Sequence, residues 1–381
     1  IMTIHWCGTG LSSIPGLRHL IETEGDVVVW NRSVDKAKAA VGDIAKDIRA
    51  FDMAALTEAT KKGDVVISML PADMHVPLAT MAIAAGAHFV SSSYIAPEMR
   101  ALDEAARKAG VCVINEVGLD PGIDHLMAHA LMHDYRNSAA FDPQNAHDFI
   151  SYCGGIPKIP NPFRYKFSWS PLGVLKALRS PSRSIADGKE LNVSRPWDAI
   201  SHYTAPLETP EEFEVYPNRD SLPFMAKYGF EADWNVQRFV RGTLRLAGWS
   251  EAWAPVFREI ETLEGAAGDA RLREMSDQFW RENSYEADEP DRVVLCVSLK
   301  AEVAGTARWH KTYVMDAWGD ARGTAMARLV STPVALAVKA AITGAVPAGV
   351  SAAPHDIGLV RDWMEVVGTL AQSLSVVDHL A

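Results

Sequence analysis

Up to residue 115 the chain alternates short apolar runs with helical periods, and few folds can be built from that alternation. Residues 3–7, 26–30, 64–70, 88–91 and 111–115 read as buried strands, because their β-branched and aromatic residues continue with little polar interruption. Between the first two, Leu17, Leu20 and Ile21 recur at helical spacing. Further helices are expected over 34–41, 76–85 and 101–109. Strands separated by helices pair in parallel, so the expected class is α/β, a doubly wound sheet with helices on both faces.

Gly8-Thr9-Gly10-Leu11-Ser12-Ser13 falls between the first strand and the first helix, where a dinucleotide fingerprint belongs. Gly8 permits the tight turn, and Gly10 lets backbone approach a pyrophosphate at the helix N-terminus. Ser13 stands where a third glycine is usual. The second strand ends at Asn31-Arg32-Ser33, with Lys36 nearby and no acidic residue to hold a ribose 2′-hydroxyl. A guanidinium there suits a 2′-phosphate, which favours NADP over NAD. Leu70, before Pro71, occupies the strand end beside which a nicotinamide ribose lies in a Rossmann domain.

The middle of the chain differs. Residues 148–228 are rich in Pro, Gly, Asn and aromatics. A charged stretch over 249–283 has helical spacing, and 292–303 and 308–317 alternate as antiparallel strand partners. Helices are expected within 321–343 and over 356–370. The expected organisation is a discontinuous Rossmann domain over 1–122 plus 320–381, with an inserted α+β substrate or dimerisation domain over 123–319. A small helical element is placed at about 230–285.

Asp and Glu number 48 against 37 Lys and Arg, for a net charge of -11. An acidic surface repels nucleic acid and anionic membranes, and no basic run offers a footprint for either. No apolar run reaches the roughly 20 residues that span a bilayer. Cys7, Cys112, Cys153 and Cys296 form no Cys-x-x-Cys pair, which argues against a zinc ribbon or a disulfide framework. The first apolar stretch leads straight into the glycine turn and does not read as a signal peptide. A cytoplasmic location is expected.

Several unusual words follow the first third: Ser91-Ser92-Ser93-Tyr94, Gly118-Leu119-Asp120-Pro121-Gly122-Ile123-Asp124-His125, Ser151-Tyr152-Cys153-Gly154-Gly155-Ile156-Pro157, Tyr165-Lys166-Phe167-Ser168-Trp169-Ser170, Tyr216-Pro217-Asn218-Arg219-Asp220-Ser221 and Arg241-Gly242-Thr243-Leu244-Arg245. In this order they closely resemble saccharopine dehydrogenases of the glutamate-forming type, over nearly the whole chain. The resemblance implies oxidation of the secondary amine of saccharopine to an imine, which water cleaves to glutamate and 2-aminoadipate 6-semialdehyde. It implies substrate contacts at Ser93, Tyr94, Arg219, Thr243, Leu244 and Arg245, and nicotinamide neighbours at Leu119, Asp120, Pro121 and Trp169. Asp120, Cys153 and Tyr94 are the implied proton-transfer candidates, and a homodimer, with 292–317 at its interface, is the implied assembly. Lys158-Ile159-Pro160 departs from the family's more usual Ala-Pro-Glu.

Bland readings stand beside these. Asp120 can simply open the next helix, Cys153 can be a small buried hydrophobe, and Arg32 can be a solvated cation. His125, His129 and His133 recur at steps of four, but such a row spreads along about 12 Å of helix, too far to share one metal ion. No metal is expected. Rival functions are a related dehydrogenase acting on carboxynorspermidine or on lysine, and a non-catalytic NAD(P)-binding sensor.

Overall fold

The computed structural model describes residues 2–381. They form two compact units, one reaching Leu126 and resuming over Met326–Val367, the other comprising Met127–Ala325 and Gly368–Ala381.

In the first unit six strands appear in chain order: β1 (Ile4–Cys7), β2 (Val27–Asn31), β3 (Asp47–Ala50), β4 (Val65–Ser68), β5 (His88–Ser91) and β6 (Cys112–Ile114). A seventh, Gly349–Ser351, comes from the C-terminal part. The sheet runs Gly349–Ser351, β6, β5, β4, β1, β2, β3, with every pair parallel. Chain order reverses between β1 and β4, so their carboxyl ends flank the crevice where α/β sheets bind ligands. β1, β4 and most of β2 are buried throughout, which explains their unbroken apolar runs. β3, at the sheet edge and half-exposed, carries no such signal in the sequence.

Helix Ala325–Ile342 belongs to this core. It is long and apolar enough by composition to cross a membrane, yet 72% of that window is buried inside the protein. Gly16 is what lets the first helix approach it. A Cβ at Gly16 would lie 2.1 Å from the Ser331 carbonyl oxygen, and the Gly16 amide donates to Ser331 Oγ at 2.8 Å.

The second unit is a mixed sheet: β7 (Ala146–Pro157), β8 (Ser182–Ala186), β9 (Lys189–Val193), β10 (Ser201–Ala205), β11 (Glu211–Pro217), β12 (Val236–Leu246), β13 (Asp291–Val303), β14 (Thr306–Trp318) and finally Ser373–Asp378. Its main path runs β10, β11, β12, β7, β13, β14, Ser373–Asp378. One face carries Ile150, Tyr152, Phe213, Val215, Leu244, Val294 and Cys296 in a single apolar cluster. An aromatic cluster gathers Tyr165, Phe167, Tyr216, Trp249, Trp253, Phe257 and Phe279 with helices Pro171–Leu178, Trp249–Glu261 and Gly265–Glu282.

Two expectations need correction. The final segment does not join the dinucleotide unit, because Ser373–Asp378 adds to β14 and closes its outer edge. The helical element begins at Trp249 rather than near 230, since Val236–Leu246 is a central strand. The Pro- and Gly-rich middle opens with β7, a strand of 12 residues. The strands predicted over 292–303 and 308–317 do form an antiparallel pair, but they are interior to the sheet, between β7 and Ser373–Asp378. Any association through this edge therefore falls to Ser373–Asp378.

Candidate active site

The cofactor end is built at the β1–β4 crevice. Gly8 has φ +105, and an added Cβ would lie 2.8 Å from the Met69 carbonyl oxygen, so only glycine fits. At Gly10 an added Cβ meets nothing within 4 Å, leaving room for a ligand. Helix Ile14–Glu24 starts after Ser13, whose side chain makes no capping hydrogen bond, so its first-turn N–H groups remain for an anion. Leu11 is 54% exposed and Ser12 half-buried. Asn31 ties the two loops together: its Oδ1 accepts from the Thr9 amide at 3.1 Å and its Nδ2 donates to the Ser33 carbonyl at 2.8 Å. Thr9 Oγ1 is buried without a hydrogen-bond partner. Ser33 caps the next helix through the Lys36 amide. Arg32 is exposed and has no ion pair or hydrogen bond among the described residues. A glycine turn, an uncapped helix start and an unpaired guanidinium at the β2 end together fit a phosphorylated dinucleotide.

Along the same sheet edge, Leu70 is half-buried against the core. A turn from Gly118 to Gly122 lies beyond β6. The Gly118 amide donates to the Pro121 carbonyl at 2.9 Å, and Gly122 has φ +148, with space for no Cβ against the Gly118 carbonyl. Leu119 and Pro121 face inward, and Asp120 stands half-buried at the apex. The Tyr94 hydroxyl donates to Asp120 Oδ1 at 3.2 Å, so two proposed proton-transfer groups are in direct contact. Ser93 Oγ lies 2.8 Å from Nε2 of buried His75, a residue the sequence did not single out and that lies just before the helix expected over 76–85. His125 Nε2 faces Glu116 Oε1 at 3.1 Å, so this imidazole is engaged by a carboxylate.

In the second unit, strand register assembles the remaining residues. Thr243 pairs with Cys153 on one side and Tyr216 on the other, while Arg245 lies opposite Glu214. Alternation along β12 puts Arg241, Thr243 and Arg245 on one face and Leu244 on the other. The Leu244 side chain is fully buried in the opposite apolar cluster, so only its backbone can serve a ligand. Gly154 is required because its Cβ would lie 2.1 Å from the Leu244 carbonyl oxygen.

Arg245 is 6% exposed. Its guanidinium lies 4.8 Å from the Tyr165 ring centroid and 5.5 Å from that of Trp249, with a donor to the Leu244 carbonyl at 3.3 Å. The Tyr216 ring lies 5.9 Å from the Arg245 guanidinium, and burial raises its hydroxyl above the ordinary tyrosine value. Among the described residues no carboxylate comes within ion-pair distance of Arg245, and its Nε is buried unpartnered. Trp169 Nε1 donates to the Tyr165 hydroxyl at 3.2 Å, joining this patch. Arg219 is exposed in the loop after β11 with left-handed φ 56, its carbonyl accepting from the Arg183 amide at 2.9 Å. Tyr165, Tyr216 and Trp249 were missed as site residues, although Tyr165 and Tyr216 open two of the words that carry the resemblance; Trp249 has only an aromatic density that ordinary cores share.

Residues 8–114 match the saccharopine dehydrogenase NADP binding domain, and residues 118–368 match the saccharopine dehydrogenase C-terminal domain. The chain belongs to the saccharopine dehydrogenase family. It is 37% identical over 252 residues to the NADP(+), L-glutamate-forming saccharopine dehydrogenase of Pyricularia oryzae, covering 64% of this chain and 54% of that protein. Against the Saccharomyces cerevisiae enzyme of the same name the identity is 35% over 259 residues, covering 64% and 55%. The α-aminoadipic semialdehyde synthase of Arabidopsis thaliana is 35% identical over 239 residues, 60% of this chain and 22% of that protein. The chain thus spans about half the length of these fungal relatives and about a fifth of the plant protein. The apo L-Glu-forming saccharopine dehydrogenase of Saccharomyces cerevisiae superposes with a TM-score of 0.80 at 25% identity, covering 99% of this chain and all of that one. A homospermidine synthase of Legionella pneumophila shares the fold, with a TM-score of 0.67 at 11% identity over 99% of this chain and 91% of that one.

Proposed function

We propose that this chain is an NADP-dependent dehydrogenase that oxidises saccharopine and releases glutamate and 2-aminoadipate 6-semialdehyde. The observation that carries the reading is Arg245, a buried guanidinium with aromatic rings around it and, among the described residues, no carboxylate within ion-pair distance, Glu214 across the strand being held by Ser250. Burying an unpaired charge is costly, and a substrate carboxylate that binds it bidentately removes that cost. Saccharopine bears three carboxylates, and Arg219 is the second cation assigned to them. A polyamine without a carboxylate would leave Arg245 uncompensated, and the single carboxylate of carboxynorspermidine or lysine would leave Arg219 without one.

Bound NADP supplies the hydride acceptor. Gly8 and Gly10 give the backbone clearance its pyrophosphate needs, and Arg32 pairs with its 2′-phosphate. The chain's remaining task is proton movement. The amine N–H must be lost as the carbon–nitrogen bond becomes an imine, and water must lose a proton when it adds to that imine. Asp120 is the proposed acceptor, because it is a half-buried carboxylate held in place by the Tyr94 hydroxyl. Cys153, buried beside Thr243, is kept as the alternative.

Initial rates with saccharopine and either NADP or NAD, followed by absorbance of the reduced nicotinamide, test the reading. Turnover with NADP supports it, and turnover with NAD alone refutes the role of Arg32. Cofactor binding without turnover of saccharopine sinks the reaction. Arg219→Ala is expected to cut kcat/KM about a hundredfold with cofactor affinity intact; equal loss of both would refute its place as a substrate clamp. A homodimer is proposed as the working form, testable by sedimentation.

A further inference from the structure

Between the ends of β4 and β5 a single imidazole holds two serines. His75, the first residue of helix His75–Ala85, has Nδ1 2.8 Å from Ser68 Oγ and Nε2 2.8 Å from Ser93 Oγ. Burial holds the ring below its ordinary value against a weaker pull from Asp73, so at neutral pH it carries one N–H. The serines are not equivalent. Ser68 is fully buried, and His75 is the one partner of its hydroxyl among the described residues. Ser93 is half-buried and next to Tyr94, which contacts Asp120.

A buried hydroxyl proton without an acceptor is costly. Ser68 avoids that cost by donating to Nδ1, and the ring's proton is then on Nε2. Nε2–H donates to Ser93 Oγ, and the Ser93 proton has to point away from the ring. We propose that Ser68 and His75 are positioning residues that fix Ser93 as a hydrogen-bond donor, presented to a carboxylate oxygen of the substrate. The carboxylate's identity rests on the saccharopine reading; the direction of the hydrogen-bond chain does not. Aligned hydrogen bonds polarise one another, so the terminal Ser93 hydroxyl is a stronger donor than an isolated serine. A carboxylate is thereby favoured over an ammonium at this point.

Two measurements test this independently. Nitrogen-15 NMR of histidine-labelled protein reads which ring nitrogen of His75 is protonated, with His75→Gln used to assign the signal. A proton on Nε2 supports the proposal, and one on Nδ1 overturns it whether or not saccharopine is turned over. Steady-state kinetics then compare three variants. Ser68→Ala removes the group that selects the tautomer without altering Ser93, and is expected to raise KM for saccharopine about tenfold with NADP affinity unchanged. His75→Gln places an amide near the Nε2 position and keeps the Ser93 contact, whereas His75→Asn places it near Nδ1 and keeps only Ser68. The glutamine variant should therefore retain several-fold more kcat/KM than the asparagine variant at similar melting temperature. Equal loss in both, or an unchanged KM in Ser68→Ala, would overturn the proposal. A wild-type chain that binds NADP but leaves saccharopine untouched refutes the substrate reading alone.

Discussion

Among the described residues neither Arg32 nor Arg245 has a carboxylate within ion-pair distance, but burial sets them apart. Arg32 is solvated at the end of β2, so its contact with a 2′-phosphate competes with water and salt. Arg32→Ala should weaken NADP binding by about tenfold, with an effect that shrinks as ionic strength rises, and leave NAD binding unchanged. Titration of each cofactor by fluorescence at two salt concentrations checks it. Arg245, 6% exposed, is desolvated before substrate arrives. Arg245→Gln should lower kcat/KM for saccharopine by about a hundredfold at any salt, with cofactor affinity intact. Arg245→Lys should recover little, because an ammonium keeps the charge but loses the planar fork and its stacking on Tyr165.

Elements depend here on glycines whose roles differ. Gly16 and Gly154 each bring a backbone carbonyl to 2.1 Å from where a Cβ would lie, so Ala at either must push a helix or a strand aside. Each substitution should cost about 3 kcal/mol or prevent folding, read from urea midpoints. Gly10→Ala meets no atom and should keep stability within about 0.5 kcal/mol, yet weaken NADP binding because it fills ligand space. These contrasts show what the sequence made legible. Strand–helix alternation revealed the parallel sheet, and Gly8 and Gly10 stood where a fingerprint requires them. The close-packing glycine did not sit at the expected third position, occupied by Ser13, but at Gly16, since its demand comes from Ser331, far along the chain. β7 was hidden for a similar reason: Gly154 and Gly155 look like turn residues until Leu244 of the neighbouring strand explains the first of them. Ser373–Asp378 alternates weakly and becomes a strand through pairing with β14. The Asp120 and Arg245 words stood out through the resemblance, whereas His75 did not, because its contacts are two serines at separate strand ends.

At the scale of the molecule, both units share an acid sensitivity written in histidines. His5, His75 and His88 in the first unit, and His147 and His310 in the second, are all held below their ordinary value, chiefly by burial; His310 falls to about 4. His5 shows why the partner does not reverse this, for Asp64 at 3.2 Å pulls upward but burial outweighs it. In the unfolded chain each takes a proton near pH 6.5, whereas the native ring does so only at lower pH. Between these values the unfolded state binds more protons, so stability rises with pH there and is lost as pH falls below about 6.5. Each such histidine can contribute up to about 1.4 kcal/mol per pH unit. Carboxylates held low by partners, such as Glu289 beside Lys166, act below their ordinary range near 4 and leave this window to the imidazoles. Calorimetry should find the melting temperature at pH 5.5 lower than at pH 7.5 by on the order of 5–10 °C. Replacing His147, stacked on Trp234 at 4.6 Å and bonded to the Tyr135 hydroxyl, by Gln should lower stability at pH 7.5 and flatten its pH dependence. A melting temperature constant across this range would mean that the unfolded chain gains no protons there relative to the native one, contradicting the burial of these rings as the source of their shifts.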